Sequence, residues 1–186
     1  MGAAGPGWAN PNKRRFKRSQ KAERAAASAL GGRPLPQSGA QPVARIPGSP
    51  TQRGDFQTAI FHAEHKRTEL DRMSVQRAWF AKVSAGAKLA LKVPAVVLLF
   101  ETRTTDPEWI FLPIHYFVAR FPTVANFQGV VIETLYGSCV LRADGLPVAA
   151  EGRVPTLALS WQSRSGGEPE VWVGVPLARV QELLRE

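Results

Sequence analysis

A single cysteine, Cys139, sits among 186 residues, so no intramolecular disulfide framework can hold this chain together. That usage suits a reducing compartment, and the cytoplasm is the expected location. Cys139 also lacks a His/Asp pattern around it and is no candidate nucleophile. Long apolar runs are missing too. The longest, around Val93–Phe100, is far too short to span a bilayer, and "MGAAGPGWANPNKRRFKR" has charges with no apolar segment behind them. Neither a membrane partner nor a secretory signal is therefore expected. No glycine-rich loop of the GxxxxGK type occurs, which argues against a nucleotide cofactor. Acidic residues are almost absent from the first 53 positions, where Glu23 stands alone.

What is present begins with that imbalance. Lys13, Arg14, Arg15, Lys17, Arg18, Lys21, Arg24, Arg33, Arg45 and Arg53, less the one charge of Glu23, account for the whole net charge of +9, because later acids and bases cancel. A basic arm ahead of a neutral body points to a polyanion, most often nucleic acid. A solvated tail that aids solubility or touches acidic lipid is the bland alternative. The apolar fraction of 44% is enough for a real core.

Along the chain, residues 1–18 form a disordered basic arm in this reading. A helix follows over Ser19–Leu30, with Ala22, Ala25, Ala26, Ala29 and Leu30 as its apolar stripe and Gly31-Gly32 as its stop. Glu23 flanks that stripe. Residues 33–53 read as a loop. Strands are expected near Asp55–Thr58, Ile60–Lys66, Val93–Phe100 and Glu108–Pro113, and helices over Ser74–Leu91 and Ile114–Phe121. This succession predicts a mixed α/β sheet flanked by helices. The core spans 19–121. Residues 122–186 look like a degenerate partial copy of it, since "VPAVVLLFETRTTDPEWIFLP" is echoed by "VPTLALSWQSRSGGEPEVWVGVP". Upstream, "NFQGVVIETLY" echoes "DFQTAIFHAEHKR". That alignment sets Glu133 opposite Glu64, Asn126 opposite Asp55 and Leu135 opposite Lys66, so the copy lacks the charged set. Trp79, Trp109, Trp161 and Trp172 fit core positions, and His115 a helix surface.

The stretch "GDFQTAIFHAEHKRT" carries the chemistry. Residues two apart in a strand share a face, so Glu64 and Lys66 project together with His62, while Phe61, Ala63 and His65 point the other way. With Asp55 on the neighbouring strand, two carboxylates would meet, and a cation between them relieves their repulsion. Oxygen ligands of this kind suit Mg²⁺ or Mn²⁺, and a lysine beside the ion can handle a water that attacks a phosphodiester. A wet strand edge with a weak Glu64–Lys66 surface pair is the alternative.

The ordered set of a helix with Glu23, "LGGRPLPQSGA", Gly54-Asp55, "FHAEHKRTE", "SVQRAWFAKV" and "VPAVVLLFE" resembles the PD-(D/E)-x-K nucleases. Within them it is most similar to phage- and archaeal-type Holliday-junction resolvases, over about residues 13–120. The resemblance implies a restriction-endonuclease-like fold and metal-dependent cutting of branched or duplex DNA. It implies Asp55 and Glu64 as metal ligands, assisted by the main-chain carbonyl of His65, with Lys66 handling the water. Glu23 would approach the metal. Ser38 would sit near the scissile phosphate, and Arg67 and the arm (Lys13, Arg14, Arg15, Lys17, Arg18) would contact DNA. The sequence departs from the family in having no proline before Asp55 and in placing His65 where an apolar residue is usual. The expected function is thus a Mg²⁺- or Mn²⁺-dependent endonuclease, working as a homodimer if it resolves junctions by paired cuts. A non-catalytic nucleic-acid binder, or a nuclease of another role on this scaffold, is the rival reading.

Overall fold

The first helix is longer than its sequence signals suggest. In the computed structural model, which describes residues 11–35, 55–122, 130–134, 137–148, 153–162 and 167–185, α1 spans Pro11–Ala29. Residues 11–18 are therefore helical and not a separate disordered arm, a correction to the boundary at Ser19. Lysine and arginine are good helix formers, and proline is favoured in a first turn. Residues 1–10 lie outside the described region. The inward stripe also differs, being Glu23, Ala26, Ala27 and Leu30, while Ala25 and Ala29 are exposed. That spacing of three and four residues is an ordinary helical face, and it places Glu23 on the buried stripe, not beside it. In an alanine-rich helix two adjacent stripes cost nearly the same, so the sheet beneath decides. The end falls where expected: Gly31 takes φ 66°, and the Gly32 N–H donates to the Ala27 carbonyl at 2.7 Å.

Strands β1 (Arg33–Pro34), β2 (Phe56–Gln57), β3 (Phe61–Thr68) and β4 (Arg72–Gln76) precede helix α2 (Arg77–Ala90). Then come β5 (Val93–Phe100), β6 (Glu108–Pro113), α3 (Ile114–Arg120), β7 (Val130–Thr134) and β8 (Ser138–Arg142). A 3₁₀ turn, β9 (Leu157–Trp161), β10 (Glu170–Pro176) and α4 (Leu177–Leu183) complete the chain. Eight strands form one mixed sheet in the order β1-β2-β3-β5-β6-β10-β9-β7, with β3 parallel to β5, β7 parallel to β9, and the other neighbours antiparallel. The mixed α/β sheet expected from the sequence is therefore present. Strands β4 and β8 pair separately. Helical spacing of Val75, Ala78 and Trp79 places the start of the second helix at Ser74 on sequence alone. Met73 and Val75 are in fact buried between exposed Arg72 and Ser74, which is strand alternation.

Ala26 and Ala27 of α1, Phe117 of α3 and Leu177 and Val180 of α4 cover one face of the large sheet, over Phe61, Ala63, Val97, Ile110 and Val173. Phe80 and Val83 of α2, with Met73, Val75 and Leu141 of the small sheet, cover the other face, over Val96, Leu98, Trp109, Trp161 and Trp172. Trp109, Trp161 and Trp172 are core residues as expected, Trp79 is only half-buried, and His115 is exposed. Among the described residues no helix is long and apolar enough to cross a membrane.

The middle of the sheet has a local dyad. Strand β6 runs antiparallel to β10 with Trp172 opposite Pro113, Gly174 opposite Phe111 and Pro176 opposite Trp109. Outward from that ladder each half continues in the same order, with β5 then β3 on one side and β9 then β7 on the other. Following the ladders outward puts Val130 at the position of Glu64 and Ile132 at that of Lys66, since Glu64 pairs with Val96 and Val130 with Leu157. By the same count Glu133 falls at the position of Arg67, and not at that of Glu64. Asn126 and Leu135 lie outside the described residues.

Candidate active site

The β2–β3 hairpin brings the acidic residues together. The Thr58 hydroxyl accepts the N–H groups of Ile60 and Phe61 at 3.0 and 2.7 Å, which fixes a tight turn. Register then follows: Phe56 faces Ala63, so Asp55 comes abreast of Glu64. Phe56 packs into the core under α1, which leaves Asp55 to point to the opposite face, the one that Glu64 and Lys66 share under α2. The Asp55 N–H donates to the Ala63 carbonyl at 2.8 Å, and the His65 N–H donates to Asp55 Oδ2 at 2.8 Å. The backbone at Ala63 and His65 therefore faces the β2 edge, and the His65 carbonyl lies along that same edge.

Lys66 Nζ donates to Glu64 Oε1 at 2.6 Å and stands 3.9 Å from Asp55 Oδ2, so one ammonium spans both carboxylates. It also lies 5.6 Å from the centre of the Trp79 ring on α2, within cation–π range. Sequence reasoning missed a second lysine. Lys82 Nζ donates to Glu64 Oε1 and Oε2 at 2.8 and 2.7 Å. Its signal was present: Lys82 falls three residues after Trp79 and one before the buried Val83, a charge on an otherwise inward stripe. Glu64 is only 1% exposed, and an unpaired carboxylate so buried would cost several kcal/mol. Two ammonium groups offset that cost. Burial first, and then the Glu64 charge, raise the Asp55 carboxyl above its ordinary value; Lys66, the His65 N–H and Lys82 pull the other way.

The remaining candidates lie around this cluster. His65 turns its imidazole to the α1 face, where Nε2 lies 3.8 Å from Glu108 Oε1, so only its main chain borders the cluster. Arg67 shares that other face and pairs with Glu69 at 2.8 Å and Glu101 at 2.7 Å. Glu23 is buried on α1, whose Ala26 and Ala27 pack on the face opposite Glu64 and Lys66. His62 is buried on the Glu64 face. Lys17 and Arg18 are exposed on α1, Arg18 with Nη1 3.6 Å from Glu69, and Lys13, Arg14 and Arg15 lie on the same helix. Ser38 is outside the described residues. Burial pushes the Cys139 thiol up to about 11, in keeping with an unreactive side chain.

Among the described residues no group of three or more His, Cys, Asp or Glu side chains gathers as a ready metal site. The donors present are two carboxylates and one main-chain carbonyl, a hard oxygen set that suits Mg²⁺ or Mn²⁺ with water completing the shell. Both carboxylates face one positive charge, the Lys66 ammonium, at 2.6 Å from Glu64 and 3.9 Å from Asp55. The chain matches no family model and no curated protein.

Proposed function

We propose that the protein is a divalent-metal-dependent DNA endonuclease with a restriction-endonuclease-like core, cutting branched DNA in the manner of a Holliday-junction resolvase. One observation carries the reading: Asp55, Glu64 and Lys66 converge on one sheet face, with the Lys66 ammonium between the two carboxylates. Asp55, Glu64 and the His65 carbonyl would hold the ion, Mg²⁺ or Mn²⁺. When bound, it supplies Lewis acidity toward the phosphodiester and lowers the pKa of a water. Lys66, anchored by Glu64 and backed by the Trp79 ring, orients the attacking water by hydrogen bonding. The His65 N–H fixes the Asp55 carboxylate, leaving its other oxygen for the ion. Exposed Lys17, Lys21 and Arg24 recur at helical spacing on α1 and offer a basic stripe to phosphates.

The dyad through Phe111 and Gly174 supports the view that residues 122–186 are a degenerate copy of the core. In that view the copy occupies the place of a second subunit against β6. With Val130 and Ile132 where the first half has Glu64 and Lys66, each 20.3 kDa chain holds one such site. Paired cuts across a junction then require two chains.

The test is incubation with four-way junction, nicked duplex, linear duplex and single-stranded DNA, in Mg²⁺ or in EDTA, with light scattering of the junction complex. Metal-dependent paired cuts on the junction by a dimer are expected. Metal-dependent nicks by a monomer would reduce the assignment to a structure-specific nickase. Tight binding with no cutting in Mg²⁺ or Mn²⁺ would replace the nuclease with a non-catalytic nucleic-acid binder.

A further inference from the structure

The two lysines on Glu64 are not equivalent. Lys66 is held from three sides, by Glu64, by Asp55 and by the Trp79 ring. Lys82 hydrogen-bonds Glu64 alone among the described residues, and its side chain is 41% exposed. Its helix is fixed at both ends: Arg77 bonds Glu170 at 3.3 Å and the Gln162 carbonyl at 3.4 Å, while Leu91 closes the C-terminus in a left-handed conformation. Any movement of the Lys82 ammonium therefore comes from its own four-carbon stem, whose tip can swing out to water.

Both Glu64 oxygens already accept from an ammonium. Lys82 takes both oxygens and Lys66 takes Oε1 a second time. An ion of charge +2 that uses Glu64 as a ligand either takes over one of those positions or stands against the Lys82 ammonium and is repelled by it. Resting on the metal-site reading above, we propose that Lys82 is a placeholder for that ion. Its ammonium neutralises the buried Glu64 while the site is metal-free, is displaced when the cation arrives, and so sets the affinity of the site. Lys66 stays because a second carboxylate and an aromatic face retain it. A lysine that merely braced the fold would contribute to stability and leave ion affinity untouched, or would support it.

The experiment is Mn²⁺ binding to the full chain, read from the electron paramagnetic resonance of free Mn²⁺, for the wild type, Lys82→Met and Lys82→Arg. Circular dichroism checks each fold, and Lys82→Gln replaces the Met variant should that one not fold. Removing one competing positive charge should tighten Mn²⁺ binding by about tenfold or more, with the exposure of Lys82 already discounted. Lys82→Arg should stay near the wild-type value. Without metal the Met variant should melt lower than the wild type, and Mn²⁺ should raise its melting temperature by more. Binding by both proteins with equal affinity, or weaker binding by Lys82→Met, would overturn the placeholder and leave the metal site in place. No Mn²⁺ binding by either would overturn the metal site and the placeholder with it.

Discussion

Phe111 on β6 lies directly across the ladder from Gly174 on β10, and its ring fills the space where a Gly174 side chain would be. A Cβ at that position would stand 2.6 Å from Phe111 Cζ and 2.8 Å from Cδ1, well inside van der Waals contact. The ladder that joins the two halves thus pairs unequal residues at this position. One half keeps the aromatic ring and the other gives up its side chain.

Gly174→Ala should therefore destabilise the fold by about 1–3 kcal/mol through overpacking at the centre of the sheet. Phe111→Ala should cost about 3–5 kcal/mol through the cavity it leaves. Combined, the two should cost less than their sum, since the methyl group partly refills that cavity. Urea midpoints for the three variants decide it. An alanine tolerated at 174 with no change in midpoint would mean the strands are not in this register.

Much of this arrangement was legible in the sequence. The continuous apolar run Val93–Phe100 and the aromatic Glu108–Pro113 gave strands with the observed bounds, because a strand buried on both faces has no other reading of that length. Asp55, Glu64 and Lys66 were found together because period-two alternation and a tight hairpin are local properties. Ladder register between distant strands is not local. Matching the two glutamates alone sets Glu133 opposite Glu64, where the parallel ladders put Val130. Strands β4 and β8 were hidden for a related reason: each is short and stable only as the other's partner. Lys82 escaped notice because a single lysine on a helix is usually solvated, and its partner lies on another element.

Asp55→Asn should stabilise the protein at neutral pH. Its carboxyl is held above the ordinary 3.8, so the folded chain binds this proton more tightly than the unfolded chain does. That contribution is present in full below 3.8 and is lost as pH rises through the folded value. At pH 7 the ionised, largely buried carboxylate costs stability, which asparagine removes. Melting curves of both proteins at pH 7 and near pH 3 check it: the variant's advantage should be present at pH 7 and fade in acid. An Asp55→Asn protein that melts below the wild type at pH 7 would mean Lys66 and Lys82 outweigh burial.

The basic face of α1 should read out in salt dependence. Lys17, Lys21 and Arg24 are exposed and spaced to lie on one side of the helix. Replacing all three with glutamine should flatten the slope of log affinity against log salt by up to about 0.9 per lost phosphate contact on duplex DNA. An unchanged slope would assign the stripe to a partner other than nucleic acid.

The central claim is that Asp55, Glu64 and Lys66 form one hydrolytic site that needs a divalent ion. The most direct measurement is the rate of DNA cleavage in Mg²⁺ and in EDTA for the wild type, Asp55→Asn, Glu64→Gln and Lys66→Ala, alongside their DNA affinity. Each variant removes a ligand or the group that handles the water, so cleavage should fall by more than about a hundredfold while binding persists. EDTA should abolish cutting by the wild type. Full activity in EDTA, or near-normal cutting by any of the three variants, would contradict it.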